Sequence, residues 1–329
     1  MEALAQTMLI ARPRPALLSL VIPLYNEEAV FPLLRDELTR VKGSLGCPVE
    51  VIFVDDGSAD QTFALAAAWA AEDTDIKLIA LSRNFGHQIA ITAGMDATSG
   101  DAVVIMDADL QDPPSLIPQM IDGYCAGYDV VYGQRTEREG ETRFKRWTAS
   151  AFYLLMRKVV DKRLPSNTGD FRLVSRRVID DFRRIREQHR FVRGLVAWVG
   201  YPQLALPYVR PGRAAGSTHY PFLRMVRFAM TAILSFSNLP LHIISWLGFA
   251  SVLVSLGFIL RTLYQYIFEP QKLVLGWASL AVLISFFSGV ILISIGILGI
   301  YVGKIHTEVL DRPLYLVRHS INLTTRQPT

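Results

Sequence analysis

Short apolar runs alternate with stretches of helical periodicity through the first half of the chain. Five of these runs have the length of a strand, and they cover residues 17–22, 49–54, 76–81, 102–106 and 129–132. Polar residues gather where the runs end. Strands that alternate with helices are typical of a mostly parallel sheet covered on both faces. The pattern therefore predicts an α/β domain whose polar strand ends meet at one edge of the sheet.

The last third of the chain has a different pattern. Residues 243–260 and 273–303 carry no formal charge, and each stretch reaches the roughly 20 residues that a membrane-spanning helix needs. The connector at 269–272 is nearly balanced in charge, whereas basic residues flank the outer ends: Arg224, Arg227, Lys304, Arg312 and Arg318. The positive-inside rule then predicts a multi-pass hairpin of two transmembrane helices, with the first domain and both termini in the cytoplasm. We expect no signal peptide before Pro15.

Composition and charge agree with a membrane protein. The 329 residues are 51% hydrophobic, and the mean hydropathy is +0.28. The net charge is only +4, but residues 142–160 and 220–239 mix basic and apolar side chains, as in amphipathic helices on an anionic membrane. Ordinary packed helices with solvated basic faces would show the same mixture. Cys47 and Cys125 lack metal-type spacing, and no motif indicates nucleic-acid binding.

Candidate chemistry lies at the end of the fourth apolar run. Asp107 and Asp109 follow that run and precede Gln111 and a double proline. Their oxygens suit Mg²⁺ or Mn²⁺ bound to a polyphosphate, although the two acids could instead cap the next helix. Asp56 could accept a hydrogen bond from a base or ribose, and Tyr25 could stack on a base. No Gly-x-Gly-x-x-Gly or Walker motif is present, which argues against dinucleotide-binding and P-loop enzymes.

Three motifs, at residues 23–27, 54–58 and 107–114, together resemble the inverting family 2 glycosyltransferases of the GT-A fold. The similarity is greater to polyprenyl-phosphate glycosyltransferases, a group that includes dolichol-phosphate mannose synthases and bacterial undecaprenyl-phosphate (bactoprenol) glucosyltransferases. Residues 83–88 and 168–173 are most similar to the bactoprenol glucosyltransferase branch.

The resemblance implies roles for individual residues. It implies nucleotide-sugar binding by Pro23, Tyr25, Glu27, Asp55, Asp56, Arg83 and Asp107. It implies that Asp107, Asp109 and Gln111 bind Mg²⁺ or Mn²⁺. It also implies that Arg135, Arg172 and Arg213 bind the acceptor phosphate and the diphosphate. Asp107, Asp109 and Asp170 are the implied catalytic residues. Asp170 could orient the acceptor phosphate through an arginine, bind a sugar hydroxyl or act as a base; we favour orientation, because a carboxylate repels a phosphate dianion unless a cation lies between them.

The implied reaction transfers one sugar, glucose from UDP-glucose in the favoured version, to undecaprenyl phosphate with inversion at the bacterial inner membrane. The product would be a lipid-linked sugar donor for envelope glycans. GDP-mannose, UDP-GlcNAc and a UDP-aminoarabinose derivative are further possible donors. A processive polysaccharide synthase or a non-enzymatic nucleotide-binding module would also be compatible with parts of the pattern, although the Gln-x-x-Arg-Trp motif common in such synthases is missing. The resemblance also implies a homo-oligomer, such as a tetramer.

The expected organisation follows from the motifs and the apolar stretches. It comprises an N-terminal extension (1–16), a GT-A catalytic domain (17–219), a juxtamembrane amphipathic helix (220–239), two transmembrane helices (240–304) and a cytoplasmic tail (305–329). One departure concerns His219, which stands where relatives commonly carry Lys. Because a histidine is charged only part of the time near neutral pH, we assign it no fixed cationic role.

Overall fold

The computed structural model describes residues 9–136, 168–188, 190–209, 239–268 and 276–323. The chain divides into two compact units. The first contains the α/β part together with the tail from residue 313, and the second contains the long helices up to residue 312. The predicted helix at 142–160, residues 220–238 of the predicted juxtamembrane helix, Arg213 and His219 lie outside the described residues.

The first unit is a sheet with helices on both faces. Its described strands are β1 (Leu18–Leu24), β2 (Val49–Asp55), β3 (Ile76–Leu81), β4 (Ala102–Ile105), β5 (Val130–Arg135), β6 (Thr168–Ser175), β7 (Gln203–Tyr208) and β8 (Val317–Ile321). Its described helices are α1 (Phe31–Lys42), α2 (Thr62–Glu72), α3 (His87–Ala97), α4 (Ile117–Cys125), α5 (Arg176–Arg184) and α6 (Val192–Val199).

The strand order is β7-β5-β6-β4-β1-β2-β3-β8. Strands β4, β1, β2 and β3 are parallel to their neighbours in this run, whereas β6 and β8 pair antiparallel with β4 and β3. Every residue of β1 and β2 is buried, as expected for central strands covered on both faces. The prediction of a mostly parallel α/β domain is confirmed. Strands β6, β7 and β8 were not predicted.

The core packs on both faces of the sheet. On one face the rings of Phe31, Phe53 and Trp69 join α1, β2 and α2, with the Phe53 centroid 5.4 Å from that of Phe31 and 5.6 Å from that of Trp69. On the other face, buried side chains of α3, α5 and α6 form a separate cluster with β1, β4, β5 and β6. Packing on both faces therefore fixes the positions of the parallel strands and of their carboxyl ends.

The chain leaves β3 and returns on the opposite side of β1 as β4. In open α/β sheets, ligands bind at such a switch point, outside the carboxyl ends of the strands. The crevice between the ends of β1 and β4 is therefore where the first unit is built to bind a ligand.

The second unit contains two long helices that contact each other, α7 (Leu239–Phe268) and α8 (Trp277–Val309). Within the described residues, one stretch, Phe286–Val309, is long and apolar enough to cross a membrane. An apolar C-terminal helix was predicted and is present. The hairpin of two membrane-spanning helices stays a prediction.

Candidate active site

The predicted metal ligands share one turn at the end of β4. Leu110 has a φ of 55°, in the left-handed region, so the chain reverses there. The reversal lets the backbone N–H of Gln111 donate to Asp109 Oδ1 at 3.1 Å. Asp107 and Asp109 are partly exposed, and Gln111 is buried. The turn therefore concentrates carboxylate and amide oxygens at the switch point.

The loop after β1 lies against the loop after β2. Asn26, whose φ is 55°, donates its backbone N–H to Ser58 Oγ at 3.1 Å and accepts from the N–H of Ala59 at 2.9 Å. The backbone N–H of Glu27 donates to Thr62 Oγ1 at 2.8 Å. Pro23 is buried within β1, but Tyr25 is 50% exposed. The Tyr25 ring is therefore presented at the rim of the crevice by a well-fixed loop.

The acidic pair at the end of β2, Asp55 and Asp56, is buried. Asp56 accepts the backbone N–H groups of Phe85 at 2.7 Å and Gly86 at 2.9 Å, while burial raises its pKa. Gly57 has a φ of 73°, and a Cβ there would lie 2.8 Å from the carbonyl carbon of Arg83. Asp56 and Gly57 therefore hold the loop after β3 close to the loop after β2. Arg83 itself is exposed and stacks on Phe85, with 4.1 Å between the guanidinium carbon and the ring centroid.

His87, the first residue of α3, lies between two predicted catalytic acids. Its Nε2 is 3.3 Å from Asp107 Oδ1 and 3.3 Å from Asp170 Oδ2. Desolvation opposes a charge on the ring, but the neighbouring carboxylates of Asp107 and Asp170 outweigh it and raise the pKa of His87 to about 10. The two carboxylates therefore favour the protonated imidazole.

Asp170, on β6, accepts hydrogen bonds from several side chains of the site. It is 2% exposed and accepts Arg193 Nε at 2.8 Å, Arg193 Nη2 at 3.0 Å and Gln88 Nε2 at 3.2 Å. Burial alone would favour the neutral acid, but His87 and Arg193 hold the pKa of Asp170 well below its usual range. Both oxygens of this ionised carboxylate already accept hydrogen bonds from the surrounding side chains.

Two arginines flank this acid in different ways. Arg193 lies in the first turn of α6, and its side chain is 33% exposed, so it is partly open to solvent while it pairs with Asp170. Arg172 is 3% exposed, and it donates from Nη2 to the carbonyl of Gly169 at 2.9 Å. Burial lowers the pKa of Arg172 to about 10. Arg172 therefore supports the backbone under Asp170 rather than facing the crevice.

Arg135 belongs to a second polar network. Its Nε donates to Tyr208 Oη at 3.2 Å, and Tyr208 Oη donates to Asp112 Oδ1 at 2.6 Å. Burial and the neighbouring Asp112 raise the pKa of Tyr208 to about 12. A Cβ at Gly169 would lie 2.5 Å from Arg135 Nη2, so the glycine makes room for the guanidinium beside β6.

Residues 19–183 match the family described as Glycosyl transferase family 2. The chain belongs to glycosyl transferase family 2. It is 44% identical over 309 residues to the uncharacterized glycosyltransferase YkcC of Bacillus subtilis (strain 168), and the match covers 94% of this chain and 95% of YkcC. It is 38% identical over 307 residues to the SfII prophage-derived bactoprenol glucosyl transferase of Shigella flexneri, covering 92% of this chain and 98% of that protein.

A solved structure of glucosyl-3-phosphoglycerate synthase from Mycobacterium tuberculosis, in complex with Mn²⁺, UDP-glucose and phosphoglyceric acid, is also similar. It is 22% identical, with a TM-score of 0.43, and the match covers 67% of this chain and 78% of that chain. On the family match and the relatives of high coverage, this chain is a glycosyltransferase, and the family implied by its motifs is confirmed.

The site of this family 2 glycosyltransferase fits a divalent cation. Asp107 Oδ1 is buried and, among the described residues, lies near His87 without forming a hydrogen bond that meets ordinary geometry. His87, Asp107 and Asp170 also offer atoms within 4.8 Å of one another. We favour the oxygens of the β4 turn as ligands, because Mg²⁺ and Mn²⁺ prefer oxygen ligands and both oxygens of Asp170 already accept hydrogen bonds from Arg193.

Sequence reasoning missed His87 and Arg193 as parts of this glycosyltransferase site. His87 lies inside the 83–88 motif, so a signal existed, but nothing in the motif indicates which carboxylates it meets. Arg193 reaches Asp170 from another element, and no spacing in the sequence predicts that pairing.

Proposed function

We propose that this glycosyltransferase transfers one glucose from UDP-glucose to undecaprenyl phosphate, with inversion, at the cytoplasmic face of the bacterial inner membrane. The observation that carries the proposal is the likeness to relatives named bactoprenol glucosyl transferase. Those from Shigella phages SfII and SfX are 38% and 36% identical, and the likeness covers 92% of this chain and 98% of each relative. It therefore includes the C-terminal helices as well as the α/β unit.

In this proposal the donor lies across the carboxyl ends of β2, β1 and β4. Tyr25 stacks on the base of the donor, and Asp55 and Asp56 bind the base and the ribose. The remaining residues of the nucleotide pocket are Pro23, Glu27 and Arg83. Asp107, Asp109 and Gln111 hold Mg²⁺ or Mn²⁺. Such a cation, when bound, neutralises charge on the diphosphate of the departing nucleotide.

The acceptor phosphate binds on the Arg193 side of the site. A phosphomonoester has a second pKa of about 6, so it is largely a dianion near neutral pH and needs no strong base. Arg193 and Arg135 supply cations, and Arg213 completes the proposed acceptor set, whereas Arg172 contributes by supporting the backbone under Asp170. Asp170 is a positioning residue, because its oxygens already accept hydrogen bonds from Arg193 and Gln88.

The chemistry is a single displacement. An oxygen of the lipid phosphate attacks the anomeric carbon, and the bond from that carbon to the nucleoside diphosphate breaks on the opposite face. The electron pair of the broken bond leaves with the diphosphate. The anomeric centre is inverted, and no covalent enzyme intermediate forms.

The proposed organisation keeps the boundaries expected from the sequence. The catalytic domain (17–219) stays in the cytoplasm, the helix at 220–239 lies on the membrane, and two helices within 240–304 cross it. Phe286–Val309 supports a membrane-spanning role for the second helix. The same relatives support an acceptor that is itself a membrane lipid. We extend the proposal to a homo-oligomer, with a tetramer as the form to test.

The test uses the purified full-length protein with undecaprenyl phosphate, Mg²⁺ or Mn²⁺ and radiolabelled UDP-glucose. GDP-mannose, UDP-GlcNAc and a UDP-aminoarabinose derivative run in parallel. We expect metal-dependent label in the lipid phase from UDP-glucose and none with Asp109→Ala. Label from another donor would correct the sugar, a long labelled polymer would favour a processive synthase, and nucleotide binding without transfer would reject the reaction.

A further inference from the structure

The tail after α8 returns to the α/β unit and forms the edge strand β8 beside β3. The backbone N–H of Ser82 donates to the carbonyl of Leu316 at 2.8 Å, which extends the contact past the end of β3. Asn322 then donates from Nδ2 to the carbonyls of Ala70 at 2.5 Å and Ile76 at 2.9 Å. The tail is thus fixed at both ends, and the start of β8 lies at the carboxyl edge of the sheet.

Arg318 is the cation that this strand brings to that edge. Its guanidinium carbon lies 5.5 Å from the ring centroid of Phe63, and its Nη2 lies 4.0 Å from Asp55 Oδ2. That distance is beyond a hydrogen bond. The Arg318 side chain is 53% exposed, and within the described part of the chain its guanidinium donates no hydrogen bond. Its donors therefore remain open to a ligand.

Asp55 presents a complementary acceptor. It is fully buried, its Oδ1 accepts the backbone N–H of Ser58 at 3.2 Å, and its Oδ2 has no hydrogen-bond partner among the described residues. A buried carboxylate oxygen without a donor is costly. A ligand that supplies an N–H to Asp55 and a carbonyl oxygen to Arg318 would satisfy both groups.

We propose that Arg318, carried by the tail strand, binds the base of the donor nucleotide, and that the site is incomplete without the tail. This rests on the proposed function. Asp107 follows β4, and Asp55 is the last residue of β2. Because β4 and β2 lie on either side of β1, about 10 Å separates the two strand ends. A nucleoside diphosphate can bridge that distance with its phosphates at Asp107. Its base then meets Asp55 and Arg318, and uracil offers an N–H beside a carbonyl.

The test measures binding of UDP with Mn²⁺ to the full-length protein by calorimetry. A lost hydrogen bond to a charged donor should raise the dissociation constant by about tenfold or more in Arg318→Ala. Arg318→Lys should recover part of the affinity. Pyrophosphate, which has no base, should bind wild type and Arg318→Ala equally well. Arg312→Ala, another basic residue near the tail, serves as the matched control and should bind UDP like wild type.

A second variant tests whether the position of the tail strand matters, separately from the charge of Arg318. Asn322→Ala removes the anchor of the tail while keeping Arg318, so it should also weaken UDP binding and spare pyrophosphate. Unchanged UDP affinity in Arg318→Ala, with or without a lower thermal midpoint, would overturn the inference. Equal weakening of UDP and pyrophosphate would overturn it as well. If wild type itself fails to bind UDP, the proposed function fails instead.

Discussion

Replacing Asp170 by Asn tests how the centre of the site works. The side chains are similar in shape, but Asn is neutral and turns one acceptor oxygen into a donor. That NH₂ group would face Arg193, Gln88 or His87, all of which donate to the carboxylate in wild type. Arg193 and His87 would then lose the anion that fixes them, so we expect the acceptor phosphate to be held less accurately.

The magnitude follows from the bonds that are lost. Hydrogen bonds to charged groups contribute about 1.5–3 kcal/mol each. Arg193 is 33% exposed, so solvent screening favours the lower end of that range. If the Arg193 ion pair and the His87 contact are counted as one interaction each, at about 1.5 kcal/mol, their loss costs about 3 kcal/mol of positioning, which corresponds to roughly a hundredfold fall in kcat. The control is Asp180→Asn, whose side chain is 55% exposed in a surface ion pair.

The assay is the initial rate of sugar transfer to lipid at saturating donor and acceptor. If Asp170 positions Arg193, then Arg193→Gln should lose a similar factor, and the double variant should be little worse than either single variant. A kcat near wild type in Asp170→Asn would refute the reasoning. A loss in Asp170→Asn far greater than in Arg193→Gln would show instead that the carboxylate acts directly, as a base would.

Three further predictions concern separate parts of the chain. Burial opposes ionisation of Asp129, but Arg177, Ser175 and Arg12 lower its pKa. Asp129→Asn should therefore cost about 3 kcal/mol of unfolding free energy near neutral pH. In urea unfolding this difference should shrink as the pH falls below the unfolded pKa of about 3.9 and should disappear once the pH has fallen through the lowered pKa of the folded state. Gly169→Ala should lower the rate of sugar transfer by at least about tenfold, because the added Cβ displaces Arg135. The control Gly43→Ala, whose added Cβ would meet only ordinary contacts at 3.7 Å, should keep the wild-type rate. Equal transfer rates in the two variants would contradict this prediction. EDTA should abolish sugar transfer by the wild-type protein, and added Mn²⁺ should restore it. The Asp107→Ala variant should stay inactive when Mn²⁺ is added.

The central strands were predictable because parallel strands covered on both faces need continuous apolar runs. Residues 51–54 and 102–106 are such runs, and β2 and β4 formed at them. β6 was not predicted, because it lacks a continuous apolar run. Its buried residues include Asp170 and Arg172, and a charged pair is tolerated in a strand interior only when tertiary partners satisfy it. The partner Arg193 comes from another element, so local sequence carried no sign of the strand.

The tail strand was missed for a related reason. Residues 317–321, Val-Arg-His-Ser-Ile, read as a polar tail, and β8 is held by pairing with β3 rather than by an apolar core of its own. Arg318 contributed only to the charge bias that predicts membrane orientation. Its place beside Asp55 depends on a strand register that no sequence pattern specifies.

The most direct test of the central claim is the identity of the product. The purified enzyme is supplied with UDP-glucose, undecaprenyl phosphate and Mn²⁺, and the extracted lipid is analysed by mass spectrometry and by the anomeric proton coupling in NMR. The proposed reaction yields undecaprenyl phosphate carrying a single hexose whose anomeric configuration is opposite to that of the donor. A product of retained configuration, a lipid carrying several sugars, or free glucose with unmodified lipid would contradict it.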